Sequence, residues 1–330
     1  MLQAFRSNQI LNAGLYIVYI LLAYISVFFP PRALAKPMPG GFFWNQLAPW
    51  IGNLSDLATV SITTVLLFIS GIFLTFIVQN NLIDRSTNLF PGIFYVLICI
   101  GTPIFLNAHA ILWANIFVMA SLAAVVPTFK KPEIAGNLFN AGFFISLSSL
   151  FYPPTLWLGF AALLGFLTIR SLRGTQSIIL LSGMVVPYFL VGTYLFWYDQ
   201  LPLFWETQFF SIFGLFPWSY PGNSTMAAIG AFLLVTLFLV LQAGSFFLKR
   251  RMEQQKMIQI VYQFLLLAGL SFILVKDPHP AHLLIVAPTL AVLLSLFFSQ
   301  ISARFGGLLF SILVLGILTI HYYPIVLRLL

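Results

Sequence analysis

Eleven times along this chain an apolar run reaches roughly the length that crosses a lipid bilayer, and that pattern leaves few folds open. The runs lie at about residues 10–29, 57–78, 90–107, 110–127, 137–152, 155–169, 176–197, 226–247, 257–275, 282–300 and 307–325; a helix that spans the hydrocarbon core needs about 20 apolar residues. A soluble domain cannot hide so much apolar surface. Of the 330 residues 61% are hydrophobic and 7% charged, where a soluble chain normally carries about 25% charge. The sequence therefore predicts an all-α polytopic membrane protein with about eleven transmembrane helices. The third to sixth runs are short and separated by tight punctuation such as Asn107-Ala108-His109 and Tyr152-Pro153-Pro154-Thr155. Half-helices or re-entrant segments are open there. The chain reads as one integral membrane domain: an N-terminal module over 1–197, an outer loop over 198–224, and C-terminal helices over 225–330.

The charges can be sorted by placing the N-terminus in the cytoplasm. The inner loops then hold Arg6, Arg85, Lys130, Lys131, Arg170, Arg173, Lys249, Arg250, Arg251, Lys256 and Arg304, eleven of the fifteen basic residues. Arg32, Lys36, Lys276 and Arg328 fall outside. This is the positive-inside distribution, and it accounts for the net charge of +8 without a nucleic-acid partner. It predicts the N-terminus on the cytoplasmic side and the C-terminus on the outer side, which in the bacterial inner membrane implied by the resemblance below is the periplasm. Ala33-Leu34-Ala35 has the form of a signal-peptidase site, but the run before it exceeds the ~7–15 residues of a signal core and is followed by two prolines. It reads as an uncleaved first span. The single Cys99 lies in an apolar run, so it forms no intrachain disulfide and offers no metal cluster.

The same sorting gathers the polar chemistry on the outer face. Asp56, Asp199, Glu206 and Asp277 lie there, with His109, His279, His282 and His321. Two outer loops, about Pro30–Asp56 and Tyr198–Ser224, are long and rich in Pro, Trp and Phe, and read as interfacial helices. In Leu201–Phe213, Glu206 and Gln208 interrupt an aromatic stretch, either as its wet face or as cavity-lining groups. Asp199 follows Phe196-Trp197-Tyr198, where it would cap the next helix or act chemically. The densest polar cluster is KDPHPAH, Lys276 to His282. A hairpin loop explains Lys276, Asp277 and the prolines. His282 opens an apolar run and points toward the bundle, where an imidazole holds an anion when charged or takes a proton when neutral. His279 is a weaker candidate of the same kind, and His109 stands at a hairpin tip. No histidine pair has helical zinc spacing, and no Walker loop, dinucleotide fingerprint or nucleophile elbow is present. Lys249–Lys256 reads as a topological anchor in contact with anionic lipid.

Two stretches carry a resemblance. Asn137-Leu-Phe-Asn-Ala-Gly-Phe-Phe-Ile-Ser-Leu-Ser-Ser-Leu-Phe-Tyr152, with Leu112–Leu122, Lys130-Lys131 and Asn80–Asn88 before it, resembles the core of an uncharacterised family of integral inner-membrane proteins from Bacteroidota. That family carries no established activity. A wider similarity is to the GT-C superfamily of polyprenyl-phosphate-dependent glycosyltransferases. It rests on the long first outer loop, the short middle spans, the small-residue helix Asn140–Leu150, and His282-Leu-Leu-Ile-Val-Ala-Pro288, where a basic residue precedes apolar residues and a proline. The resemblance implies a GT-C-like bundle acting at the outer leaflet on a polyprenyl-phosphate-linked glycan, with that donor lipid in place of any cofactor. It implies a carboxylate base from Asp56, Asp199 or Glu206, and substrate contacts from Lys276, His279, His282 and His109. Such enzymes place an acid soon after the first span; here none lies between Pro30 and Ser55, and Asp56 stands at the loop's far end. A non-catalytic scaffold or subunit of a cell-envelope or secretion complex is the rival expectation. A transporter is third, since no ionisable residue falls mid-span.

Overall fold

The computed structural model describes residues 2–6, 9–28, 40–81, 83–84, 86–106, 110–171, 174–210, 214, 223–248, 250–275 and 279–329. Lys276 and His109 lie outside them. Each of the eleven apolar runs carries a helix: α1 (Leu15–Phe28), α2 (Asp56–Asn80), α3 (Phe90–Cys99), α4 (Ala110–Val125), α5 (Ala135–Phe151), α6 (Leu158–Ile169), α7 (Gly174–Trp197), α8 (Asn223–Leu241), α9 (Met252–Leu270), α10 (Ala287–Gln300) and α11 (Ala303–Leu329). Among the described residues there is no strand, and seven helices are long and apolar enough to cross a membrane. The short members are Phe90–Cys99, Ala135–Phe151 and Pro153–Ile169. The ten residues of α3 rise only about 15 Å, half a hydrocarbon core. The fourth run departs from expectation. A 3-10 turn, Val126–Lys130, continues α4, and the apolar helix Ala110–Phe129 reaches full length. Both long loops that the sequence reads as interfacial contain helix: Phe42–Gly52 in the first and Leu201–Trp205 in the second.

The chain forms two compact units. The first comprises Met1–Pro37, Trp50–His109 and Leu290–Leu330, and so contains α1, α2, α3 and α11. Its centre is aromatic: Phe5, Tyr16, Tyr19, Phe94, Phe298 and Phe310 pack ring against ring. The helix α2 starts where Ser55 Oγ accepts from Ala58 N–H at 3.3 Å, and Asp56 occupies its first turn beside the positive end of the helix dipole.

The second unit comprises Met38–Pro49 and Ala110–Thr289 and contains α4 to α9. Its closest helix contact is set by two glycines. A Cβ added to Gly142 on α5 would collide with the Leu180 carbonyl on α7, and one added to Gly183 on α7 would collide with the Phe139 carbonyl on α5. Backbones touch there because neither residue has a side chain, which is how helices associate where water cannot drive them together. The small-residue run in α5 is therefore a docking surface for α7.

Candidate functional site

One end of α5 and α7 holds a buried polar network of the second unit. The stretch Leu201–Trp205 folds back onto it, burying Phe204 against Leu150 and Leu195 with Phe42, Phe43 and Tyr188 around them. Helix then continues as a π-helical turn, Glu206–Phe210, a wide form enriched at functional sites. Gln208 and Glu206 part company within this turn. Gln208 is fully buried, and Glu206 is exposed. Two residues of helix rotate a side chain about 200°, so one inward and one outward partner is the expected outcome at that spacing.

Gln208, which the sequence leaves open between a wet face and a cavity wall, is the hub of a buried network. Its Nε2 donates to the Ser149 carbonyl at 2.6 Å and to Tyr188 Oη at 3.2 Å. Its Oε1 accepts from Phe42 N–H at 2.9 Å, satisfying a free donor at the start of helix Phe42–Gly52. Tyr188 Oη lies 2.7 Å from Ser149 Oγ. One side chain thus ties α5, α7, the first outer loop and the second together.

Asp199 ends α7 rather than starting the next helix. Gln200 N–H reaches back to the Leu195 carbonyl at 3.0 Å and Asp199 N–H to that of Phe196 at 3.2 Å, the bond pair of a Schellman motif. The position between them requires a left-handed backbone, and Asp199 has φ 55°, the one positive φ among described non-glycine residues. The following helix has Gln200 at its N-cap, with no side-chain hydrogen bond, so the capping role considered for Asp199 is not what the structure shows. An aspartate here meets two penalties. Left-handed φ costs a side-chain-bearing residue about 1 kcal/mol, and a carboxylate beside the last carbonyls of a helix faces the negative end of its dipole.

An apolar groove of about 680 Å³ runs along α7 to this point, lined by Leu181, Val185, Tyr188, Phe196, Leu201 and Trp205 among others. From Leu181 to Phe196 the helix rises about 22 Å. The far end of the groove is bracketed by Phe196 and Leu201, which flank Asp199 in sequence, and by Trp205, the neighbour of Glu206. Two smaller hollows against Trp157, Phe160 and Met184 extend it toward α6. Its outer wall is open: Phe189 is 67% and Phe196 68% exposed.

His282 is in the same unit but inside it, 2% exposed. Its Nδ1 lies 2.8 Å from Tyr152 Oη and its Nε2 3.1 Å from Ser271 Oγ. Ser271 donates its proton to the Ala268 carbonyl at 2.7 Å, so its oxygen accepts from Nε2–H and the Tyr152 hydroxyl donates to Nδ1. That pattern is a neutral imidazole with every polar atom matched. The ring does point into the bundle, as its place in the sequence suggests, but neither nitrogen is open to a phosphate. His279 is half-buried and caps the turn Pro280–Val286, with Nδ1 accepting from Ala281 N–H at 3.2 Å. Burial holds its pKa below the usual imidazole value. Asp56 belongs to the first unit and is exposed at the start of α2; Asp199, Glu206, His279 and His282 belong to the second.

Fold and site together define a multi-pass helical membrane protein with an apolar groove whose far end is lined by Phe196 and Leu201, the residues that flank Asp199 in sequence. A solved structure shares the fold: ArnT from Cupriavidus metallidurans bound to undecaprenyl phosphate, with TM-score 0.51 and 14% identity over 88% of this chain and 60% of that one. At that identity the likeness speaks for the fold, and this chain spans about 60% of ArnT's length. No protein-family model matches the chain, and no curated protein matches its sequence.

Proposed function

We propose that the protein takes the hydrocarbon chain of a polyprenyl-phosphate-linked glycan into the groove along α7 and transfers the glycan at the outer leaflet of a bacterial inner membrane. The observation that carries this is an apolar groove along about 22 Å of α7 whose far end is lined by Phe196 and Leu201, the residues that flank in sequence an acid standing where the backbone favours glycine. Strain of that kind persists where the side chain serves something other than the fold. The shared fold with ArnT, solved with undecaprenyl phosphate, supports the ligand class.

In this reading Asp199 accepts the proton of the acceptor hydroxyl. The hydroxyl oxygen then bonds to the anomeric carbon of the sugar as its bond to the phosphate breaks, and polyprenyl phosphate leaves. Glu206, beside Trp205 in the groove wall, and Asp56 are the other carboxylates open to this step. The segment Gly174–Phe210 contains no Lys or Arg, so the phosphate's counter-charge comes from elsewhere; Lys276 and His279 are assigned to it, and His109 to the substrate's outer side. His282, closed by two hydroxyls, holds the turn Pro280–Val286 that His279 caps.

Gly192 lines the groove, and a Cβ there would meet only Leu201 Cδ1, at 3.8 Å. Gly192→Phe therefore fills the groove without disturbing the helix contact. Purified protein incubated with undecaprenyl phosphate should retain it in native mass spectrometry. Gly192→Phe should retain it much less, since the ring takes up space that the isoprenoid would fill. Equal retention overturns the groove assignment, and unchanged envelope glycans in Ala variants of Asp56, Asp199, Glu206 and His282 overturn catalysis. The closed environment of His282 and the absence of an acid between Pro30 and Ser55 favour a second reading, a non-catalytic subunit of an envelope complex. Stoichiometric copurification of a protein partner in mild detergent would support it.

A further inference from the structure

The other end of α7, where Gly174 starts it, lies close in sequence to a cluster of cations. Lys131 Nζ donates to Asn137 Oδ1 at 3.0 Å. The Arg170 guanidinium donates to the carbonyls of Lys131 at 2.6 Å, Thr128 at 3.1 Å and Pro132 at 3.4 Å. Lys256 Nζ donates to the Ile169 carbonyl at 3.0 Å and stands 5.5 Å from the centre of the Phe129 ring. These bonds bring together three cations that are far apart in sequence and sit on three elements: the turn after α4, the end of α6, and α9.

A plain capping role explains part of this. Lys256 meets the last carbonyls of α6 and Arg170 those of the 3-10 turn, and cations suit helix C-termini. Capping leaves donors over. An ammonium carries three N–H groups and a guanidinium five, while each lysine here uses one and Arg170 three. No carboxylate is among these partners; Glu133 and Glu253 are the nearest acids in sequence. Three basic residues on adjoining segments, with donors left over, suit an anion lying over them.

We infer that Lys131, Arg170 and Lys256 form a binding site for the phosphate of an anionic phospholipid, in the leaflet opposite the one Asp199 faces. The cluster marks the ends of apolar helices α6 and α9, the level at which headgroups lie, and a phosphodiester offers oxygens for the spare N–H groups. The site is separate from the groove and does not depend on the proposed transferase activity.

Delipidated protein in neutral detergent is mixed with phosphatidylglycerol or phosphatidylcholine, and bound lipid is read by native mass spectrometry. Phosphatidylglycerol should be retained preferentially. Each neutralised cation should weaken its retention about fivefold, as expected for a basic residue at a charged membrane surface. Lys131→Gln is the first variant, because Lys131 is exposed and bonds only a side-chain amide; Lys131→Gln/Lys256→Gln is the second. Arg304→Gln, in the first unit, should change nothing. Equal retention of both lipids, unaltered retention by Lys131→Gln, or displacement of the lipid by millimolar glycerol phosphate would each overturn the site.

Discussion

Asp199 holds a backbone position built for glycine, and this separates its two possible uses. If the carboxylate served only the fold, Asp199→Gly would improve every property. It removes a left-handed penalty of about 1 kcal/mol and an anion at the negative end of α7. The expected outcome is a higher midpoint of thermal unfolding in detergent together with loss of glycan transfer; a more stable variant that still transfers removes Asp199 from the reaction. His279 offers a pH measurement. Burial holds its folded pKa below the unfolded value of 6.5, so the folded state binds its proton less readily than the unfolded chain. The contribution to stability is complete above pH 6.5 and is lost as pH falls from there through the folded pKa. Protonation at Nδ1 would also end its acceptance from Ala281 N–H. Asn at this position can still cap and does not titrate. Wild type should therefore lose thermal stability relative to His279→Asn between about pH 7.5 and 5.5, and parallel curves for the two proteins would refute the cap's titration.

At the scale of elements, the contact between α5 and α7 depends on two missing side chains. Gly183→Ala sets a methyl group against the Phe139 carbonyl, and a backbone cannot yield as a side chain can. A loss of about 2 kcal/mol or more is expected, read as a lowered unfolding midpoint. Gly174→Ala, on the same helix with nothing within 4 Å of an added Cβ, should leave stability near wild type. This contact also marks the boundary of what was legible in the sequence. Run lengths placed all eleven helices, because a chain in lipid must satisfy its backbone within each segment. Run length says nothing about which segments touch. Gly142 and Gly183 are forty-one positions apart, and only folding shows which carbonyl of the other helix each lies against. For the same reason the sequence leaves Gln208 open between a wet face and a cavity wall, and only the fold makes it the buried hub of four segments. His282 was legible as inward-pointing, from its place at the head of an apolar run. Its two hydroxyl partners come from residues 130 positions earlier and 11 positions earlier, and no local pattern announces them.

For the molecule as a whole, the basic residues predict which end faces the cytoplasm, and the single cysteine makes this measurable. Cys99 is buried, so the wild-type chain serves as a blank for thiol labelling. In spheroplasts a membrane-impermeant maleimide should label Gln200→Cys and should leave Lys131→Cys untouched until the membrane is opened; the reverse pattern would invert the topology. Residues 110–289 and the separated stretches of the first unit fold as two bodies, and only the second contains the groove. Its outer wall is made of side chains as exposed as Phe189 and Phe196. In a bilayer such a trough is always full. If the groove takes an isoprenoid as proposed, ordinary acyl chains occupy it whenever the isoprenoid does not, so binding there is an exchange between two oils that gains little from burial itself. The contest would then be decided by mole fraction within the leaflet and by what the head of the lipid meets. A protein of this design would respond to the proportion of its lipid among its neighbours, and diluting the membrane with other lipids would slow it as surely as removing the substrate.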